Sequence, residues 1–383
     1  MKRFYVIIHD DWELMGSGFG NVAYHQYLPA LSLMNVAQRL GINLTFMVEV
    51  AQQLTFIKYQ DANPDIRIQK QLWDNSVQLM KQKGFDVQLH LHPQWINARY
   101  ENNYFTLNEK WNIGTYPKEF QQQLFTEGIE YIKNLVLPID KSYKLIAFKG
   151  GAWGLQPSES LLETLSDCGI KLVLGIRRNL FIPTLSIDNR GLEENTVPYH
   201  PEFKDICKMS KQANGLIVMP LPYYSPNIYH FSKYTARIIK RRLLNKNVRL
   251  YYNLEKAPPA ISQKDNYHSN INLKFAMRPY ETHLKISNES FNYLKVSFDN
   301  VFKRFSKIDK MGLPINIECH TKNCIGNFET IERFLGYILD KYGDHVEFCS
   351  LAQYHNLIEK NPQLVRYNNS DEHLNNSDEH FSN

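Results

Sequence analysis

Apolar and polar residues along this chain follow two periods, and the switches between them mark its elements. Residues 4–11 read F-Y-V-I-I-H-D-D, a short apolar run rich in aromatic and β-branched residues that predicts a buried strand. From Leu28 to Leu40 the apolar residues Leu31, Leu33, Val36 and Leu40 recur at helical spacing, and Gly41 supplies a C-cap. Residues 43–49 predict a second strand, and residues 68–83 a helix that ends at Gly84. Then Phe85 to Trp95, F-D-V-Q-L-H-L-H-P-Q-W, alternates strictly. This β-α-β-α-β progression with short connections implies a parallel sheet or barrel with helices outside.

In the alternating stretch, side chains two apart share a face. His90 and His92 therefore project together while Leu89 and Leu91 pack on the other side. Pro93 ends the strand because it has no N–H to give a ladder. Paired imidazoles on a stiff element suit a metal that takes nitrogen ligands. Taken alone, they are equally the hydrogen-bonding residues of a half-buried strand.

Further along, residues 96–116 are polar and aromatic and predict a long loop over the strand ends. A helix is expected over 118–135, a strand over 144–149, a helix from Ser158, which serves as its cap, to Cys168, and a strand over 171–176. Residues 214–222 predict a strand, and 229–245 a basic helix. Residues 256–269, with Pro258 and Pro259, read as an excursion of low structure. Residues 281–307 predict two helical segments, or one helix with a lead-in. A strand over 313–320, a helix over 326–341, a short strand from Val346 and a helix over 350–359 complete the pattern. The tail repeats N-N-S-D-E-H from Asn368 and again from Asn375, a composition that does not fold. Residues 1–360 thus form one α/β domain with inserted loops around 96–116 and 180–310, and 361–383 a disordered tail.

Composition narrows the class. The chain has 383 residues, 43% hydrophobic and 22% charged, as in a globular protein. A net charge of +5 is too small to mark a nucleic-acid binder. Much of it sits in one run, Arg237 to Arg242 with Lys246 and Arg249. That run is either a solvated helix face or a contact for phosphate or an anionic membrane face. The N-terminal apolar run reaches His9-Asp10-Asp11 too soon for a secretory segment, and no stretch approaches the ~20 apolar residues of a membrane span, so a cytoplasmic location is expected. Five scattered cysteines without C-x-x-C fit reduced thiols. The glycines Gly16, Gly18 and Gly20 match neither a P-loop nor a dinucleotide fingerprint and read as a rim loop.

The chemistry collects at strand ends. Asp10 and Asp11 close the first strand, His90 and His92 the third, Lys149 another, and Glu318 with His320 a late one. In a parallel sheet or barrel these ends share one rim. One Asp with two His is a facial ligand set for a divalent ion, with room left for water and substrate. A second Asp can act as base, a further His can protonate a leaving amine, and a Lys can hold an oxyanion or a partner's charge. Trp12, Glu13, Trp95, Gly151 and Trp153 flank these positions and are the candidate substrate contacts.

These residues, in this order, resemble the polysaccharide deacetylase family (carbohydrate esterase family 4, the NodB-homology fold). The family's first strand ends in two acids, a base and then a metal ligand, which implies Asp10 as base and Asp11 as ligand. Its second strand, T-F-F-V, is matched by Thr45-Phe46-Met47-Val48. Its metal histidines lie in H-S/T-x-x-H; here His90 and His92 stand in H-x-H-P, an arrangement associated with a branch found among surface-polysaccharide genes. Lys149 stands where the family has an Arg, and His320 where it has a general acid. A fourth acid is not clearly marked, with Asp188 as a candidate. The resemblance covers about 1–175 and 310–355. It implies a distorted (β/α) barrel of about seven parallel strands with insertions. It further implies a divalent cofactor, Zn²⁺, and an N-acylated amino-sugar substrate that is nucleotide-linked, lipid-linked or polymeric. Two alternatives stand beside the deacetylase: an inactive carbohydrate-binding or scaffold protein of the same fold, and a metallohydrolase of a non-sugar amide. Oligomeric state is not legible.

Overall fold

The computed structural model describes residues 3–16, 18–101, 104–194, 196–224 and 282–367. Nine strands form its main sheet: β1 (Phe4–Trp12), β2 (Thr45–Glu49), β3 (Asp86–Leu91), β4 (Ala147–Gly150), β5 (Leu172–Leu174), β6 (Ile217–Met219), β7 (Lys285–Ile286), β8 (Pro314–Cys319) and β9 (Val346–Phe348). Their order is β6-β5-β4-β3-β2-β1-β8-β7, with β9 beside the first residues of β1, and every pairing is parallel. Strand β1 is central because its run is apolar on both sides, as a strand covered on both faces requires.

The sheet curls into an open barrel. Between β4 and β1 lie β3 and β2, so a flat sheet would hold Lys149 and Asp11 ~14 Å apart. The Lys149 ammonium instead stands 2.7 Å from the Asp11 carboxylate and 2.8 Å from Glu318 Oε2 on β8. The two ends of the sheet meet at the rim. Leu284 N donates to Pro222 O at 3.0 Å, and Tyr223–Tyr224 pairs antiparallel with Thr282–His283. Asn316 on β8 spans the same gap, donating to Pro220 O at 2.8 Å.

Eight described helices surround or close the barrel: α1 (Leu28–Leu40), α2 (Val50–Tyr59), α3 (Pro64–Gln82), α4 (Lys118–Val136), α5 (Glu159–Asp167), α6 (Phe291–Phe305), α7 (Phe328–Tyr342) and α8 (Leu351–Lys360). Helix α8 packs Leu351, Tyr354 and Ile358 against Ile7, Met47, Ala147 and Leu174. An apolar layer thus fills the interior near α8, and burying each such side chain stabilises by ~1.5–3 kcal/mol. The polar interior residues are left to the other end, where the strands finish.

The expected fold class holds, with nine strands in place of about seven. Several local expectations change. Helix α2 was not anticipated; it follows β2 without a loop, and Glu49 ends the strand and caps the helix at once. Helix α3 begins at Pro64, capped by Asn63, ahead of the expected start. Ser158 does not cap α5; its hydroxyl donates to Phe203 O and accepts from Ile206 N. Residues 96–116 contain a hairpin, Arg99–Glu101 with Tyr104–Thr106, whose Phe105 packs on Phe56 and Trp95. The lead-in to α6 consists of short strands, and Ser290 caps the helix. The basic helix over 229–245, the excursion over 256–269 and the repeated tail lie outside the described residues. Among the described residues, no helix is long and apolar enough to cross a membrane.

Candidate metal centre at the barrel rim

Alternation along β1 decides which acids face the interior. Asp11 and Glu13 point inward, and Asp10 and Trp12 point out. Asp10 is fully buried with both oxygens held by Thr321: Oδ1 accepts from its N–H at 2.7 Å and Oδ2 from its hydroxyl at 2.9 Å. Burial raises the Asp10 pKa to about 6 despite the Thr321 hydrogen bonds. The expectation of Asp10 as base is therefore corrected, because its carboxylate faces away from the histidines. Trp12 is corrected too: it packs on Trp73 and donates to Gln26 O, with no exposed surface. Trp95 is likewise a core residue against Phe56 and Phe105. Asp188 lies on a separate hairpin, exposed and paired with Arg190 at 2.6 Å.

At the end of β3 the two histidines share the inner face, His90 within the strand and His92 just past it, and each has its outer nitrogen fixed. His90 Nδ1 lies 2.8 Å from Lys149 O, which only accepts, so Nδ1 carries the proton. His92 Nδ1 donates to Gln94 Oε1 at 3.1 Å, and Gln94 is oriented by donating its own amide to Gly16 O at 3.0 Å. Both Nε2 atoms thus present lone pairs to one spot. Fixing the tautomer through the far nitrogen is how proteins aim imidazole at a cation.

Glu13 meets them there. Its Oε2 is 2.5 Å from His92 Nε2 and 3.4 Å from His90 Nε2, while its Oε1 accepts from Lys322 at 2.6 Å. A ring nitrogen and a carboxylate oxygen 2.5 Å apart are held together by a proton, or by a cation set off the line between them. Glu49 completes the group: ligand atoms of Glu13, Glu49, His90 and His92 all lie within 4.8 Å of one another. Its Oε1 caps α2 through Ala51 N and Gln52 N, and its buried Oε2 has no hydrogen-bond partner. His90 Nε2 also has no hydrogen-bond partner.

The electrostatics point the same way. Burial alone would lower the His90 pKa, yet Asp11 and Glu13 raise it above the usual imidazole value. Burial opposes ionisation of Glu13, but His92 and Lys322 hold it well below the carboxylate range. Burial raises Glu49 to about 7. The pocket attracts positive charge, and this buried group of two imidazoles and two carboxylates can hold a metal ion. Asp11, expected as a ligand, stands outside that group, whose carboxylates are Glu13 and Glu49.

Beside it lies a charged network. Lys149, 1% exposed, bridges Asp11 and Glu318. Burial would depress its pKa, but the two carboxylates outweigh it and raise it. Glu318 also accepts from Trp153 Nε1 at 3.2 Å and His283 Nε2 at 2.9 Å. His320 Nε2 lies 3.3 Å from Asp11 and 3.6 Å from Glu13, and its side chain is 24% exposed, so it is open to solvent. Ala152 and Trp153 both adopt positive φ, 51° and 57°, a strained backbone that presents the Trp153 ring to Glu318.

Gly151 makes room for the His92 ring. A Cβ there would sit 2.7 Å from His92 Cγ and from Leu91 O. Gly151→Ala is expected to push the His92 ring aside and weaken divalent-cation binding by roughly tenfold or more, as lost support of a ligand does. Titration calorimetry on the purified variant checks this.

Several of these residues escaped the sequence. Glu49 ends a strand as the histidines do, and that position was its signal. His283 had none, since its strand is two residues long.

No protein-family model matches the sequence, and no curated protein matches it. Among solved structures, the chain is similar to the PuuE allantoinase, with 11% identity over 94% of this chain and 91% of that one, at a TM-score of 0.49. It is similar to a probable polysaccharide deacetylase from Pseudomonas aeruginosa PAO1, with 11% identity over 94% and 92%, at 0.48. It is also similar to a GH57-type branching enzyme from Pyrococcus horikoshii, with 9% identity over 92% and 70%, at 0.47. At such identities and TM-scores the reading of the site rests on its own geometry.

Proposed function

We propose that the protein is a metal-dependent hydrolase that removes an N-acyl group, N-acetyl in the first instance, from an amino sugar during surface-polysaccharide assembly. The observation that carries the hydrolase reading is the convergence of the His90 and His92 Nε2 atoms with Glu13, next to an Asp11–Lys149 pair and a solvent-open His320. The amino sugar and its setting rest on the order of the sequence motifs.

Glu13, His90 and His92 would hold a divalent cation, which when bound would supply Lewis acidity to the amide carbonyl and to water. The chain's own groups do the rest. Asp11 is kept ionised by Lys149 and accepts the proton of the attacking water. His320 reaches solvent beside Asp11 and gives a proton to the departing amine nitrogen. Burial lowers the His320 pKa below the ordinary imidazole value, and Asp11 and Glu318, the latter 3.9 Å from its Nδ1, offset part of that. Lys322 holds Glu13 by one oxygen, and so orients the other toward the histidines.

The test is a panel of N-acetylated and N-formylated sugars, nucleotide-linked, lipid-linked and polymeric, with non-sugar amides beside them. Purified protein loaded with a divalent cation is expected to release acetate or formate from a sugar member, and none after chelation. Release from the non-sugar amides alone would move the activity to that class. A protein that takes up no cation and releases nothing would be an inactive member of the fold.

A further inference from the structure

We infer that Glu49 is a fourth protein ligand, so that the site selects a cation accepting five or six mixed nitrogen and oxygen donors over four-coordinate zinc. This rests on the metal-dependent reading above and narrows which metal serves it.

Position comes first. Glu49 and His90 are register partners on adjacent parallel strands, so their side chains leave the same face side by side. Glu49 then caps α2 through one oxygen, which accepts from Ala51 N at 2.8 Å and Gln52 N at 3.3 Å. Glu is not among the preferred N-cap residues; Ser, Thr, Asp and Asn cap a helix with a shorter chain. A longer side chain leaves its second oxygen free, and here that oxygen is buried, partnerless and within the 4.8 Å group. A cap alone needs no second oxygen there. Burying an unpaired carboxylate oxygen is costly unless a cation compensates it. The strand-to-helix junction without a loop also fixes Glu49 from both sides, as a ligand requires.

The donor count follows. Three protein ligands leave a tetrahedral ion one open position for substrate; four leave it none. An ion held by Glu13, Glu49, His90 and His92 that also meets substrate must accept at least five donors. Two imidazoles with two carboxylates suit Mn²⁺, Fe²⁺ or Co²⁺. This departs from the Zn²⁺ expected from the sequence resemblance.

The experiment titrates the chelator-stripped full-length protein with Co²⁺ and records both affinity and visible absorption. The wild type is expected to show the weak bands of five- or six-coordinate Co²⁺. Glu49→Gln keeps the capping oxygen but removes the ligand. It should bind Co²⁺ roughly tenfold or more weakly, and its bands should intensify toward the tetrahedral form. The spectrum does not respond to a weakened helix cap, so it separates ligation from stability. If Glu49→Gln matches the wild type in both while Glu13→Gln and His92→Ala lose binding, Glu49 is only a cap and the inference falls alone. If the wild type itself binds no Co²⁺, the hydrolase reading falls with it.

Discussion

Asp11→Asn is expected to lower kcat/KM by roughly 10²–10⁴-fold, the usual contribution of a general base, while Asp10→Asn leaves it little changed. The two residues are neighbours in sequence and opposite in orientation. Asp11 faces Lys149 and His320 inside the barrel. Asp10 faces Thr321, which binds both of its oxygens. Stability should separate them as well. The folded-state pKa of Asp10, about 6, lies above the ordinary 3.8, so the folded chain holds this proton more tightly than the unfolded one. Wild-type stability therefore falls as pH rises from about 4 to about 6 on account of this group. Asp10→Asn lacks that loss, so its melting temperature relative to wild type should climb over the same range. A large activity defect in Asp10→Asn with Asp11→Asn unaffected would reverse the assignment.

The largest stability effect is expected at Lys149. Lys149→Met fills the same space but leaves Asp11 and Glu318 buried without their cation. Breaking a buried pair in this way costs ~3–5 kcal/mol, which should appear in the urea midpoint of the metal-free protein. The sign of its pH dependence follows from the carboxylates. Lys149 helps hold Asp11 below its ordinary value and Glu318 well below its own, against the opposing effect of burial. Their stabilisation is present above the unfolded carboxylate pKa and lost as pH falls. The gap between wild type and Lys149→Met should therefore narrow on acidification. Lys149→Arg keeps the charge in a larger, planar group, and should recover more stability than Met does.

How much of this was legible in the sequence depended on whether an element kept its period. Strand β3 alternates strictly, and both histidines were found on their face. Strand β1 is apolar throughout its first half, so its alternation is invisible there, and the adjacent acids drew attention together. On a strand two adjacent side chains cannot both face inward. The i, i+2 rule that pairs His90 with His92 would have paired Asp11 with Glu13. Lys149 and His320 were legible because they end strands, and the structure sets both beside Asp11. Trp12 and Trp95 were misread for a different reason. A large aromatic next to a site serves equally well as the wall behind it, and only packing against Trp73 or Phe56 tells which. Helix α2 and the Ser158 contacts depended on tertiary partners that local pattern does not carry.

The pairing of Tyr224 with Thr282 has a practical consequence. Paired residues in an antiparallel ladder stand ~5 Å apart, close enough for a short turn to join them. The chain thus leaves the barrel and returns to it at almost one point. A chain in which a short turn joins Tyr224 directly to Thr282 is therefore expected to keep every described strand pairing of the barrel. The rim chemistry is anchored in β1, β2, β3, β4 and β8, none of which takes part in that pairing.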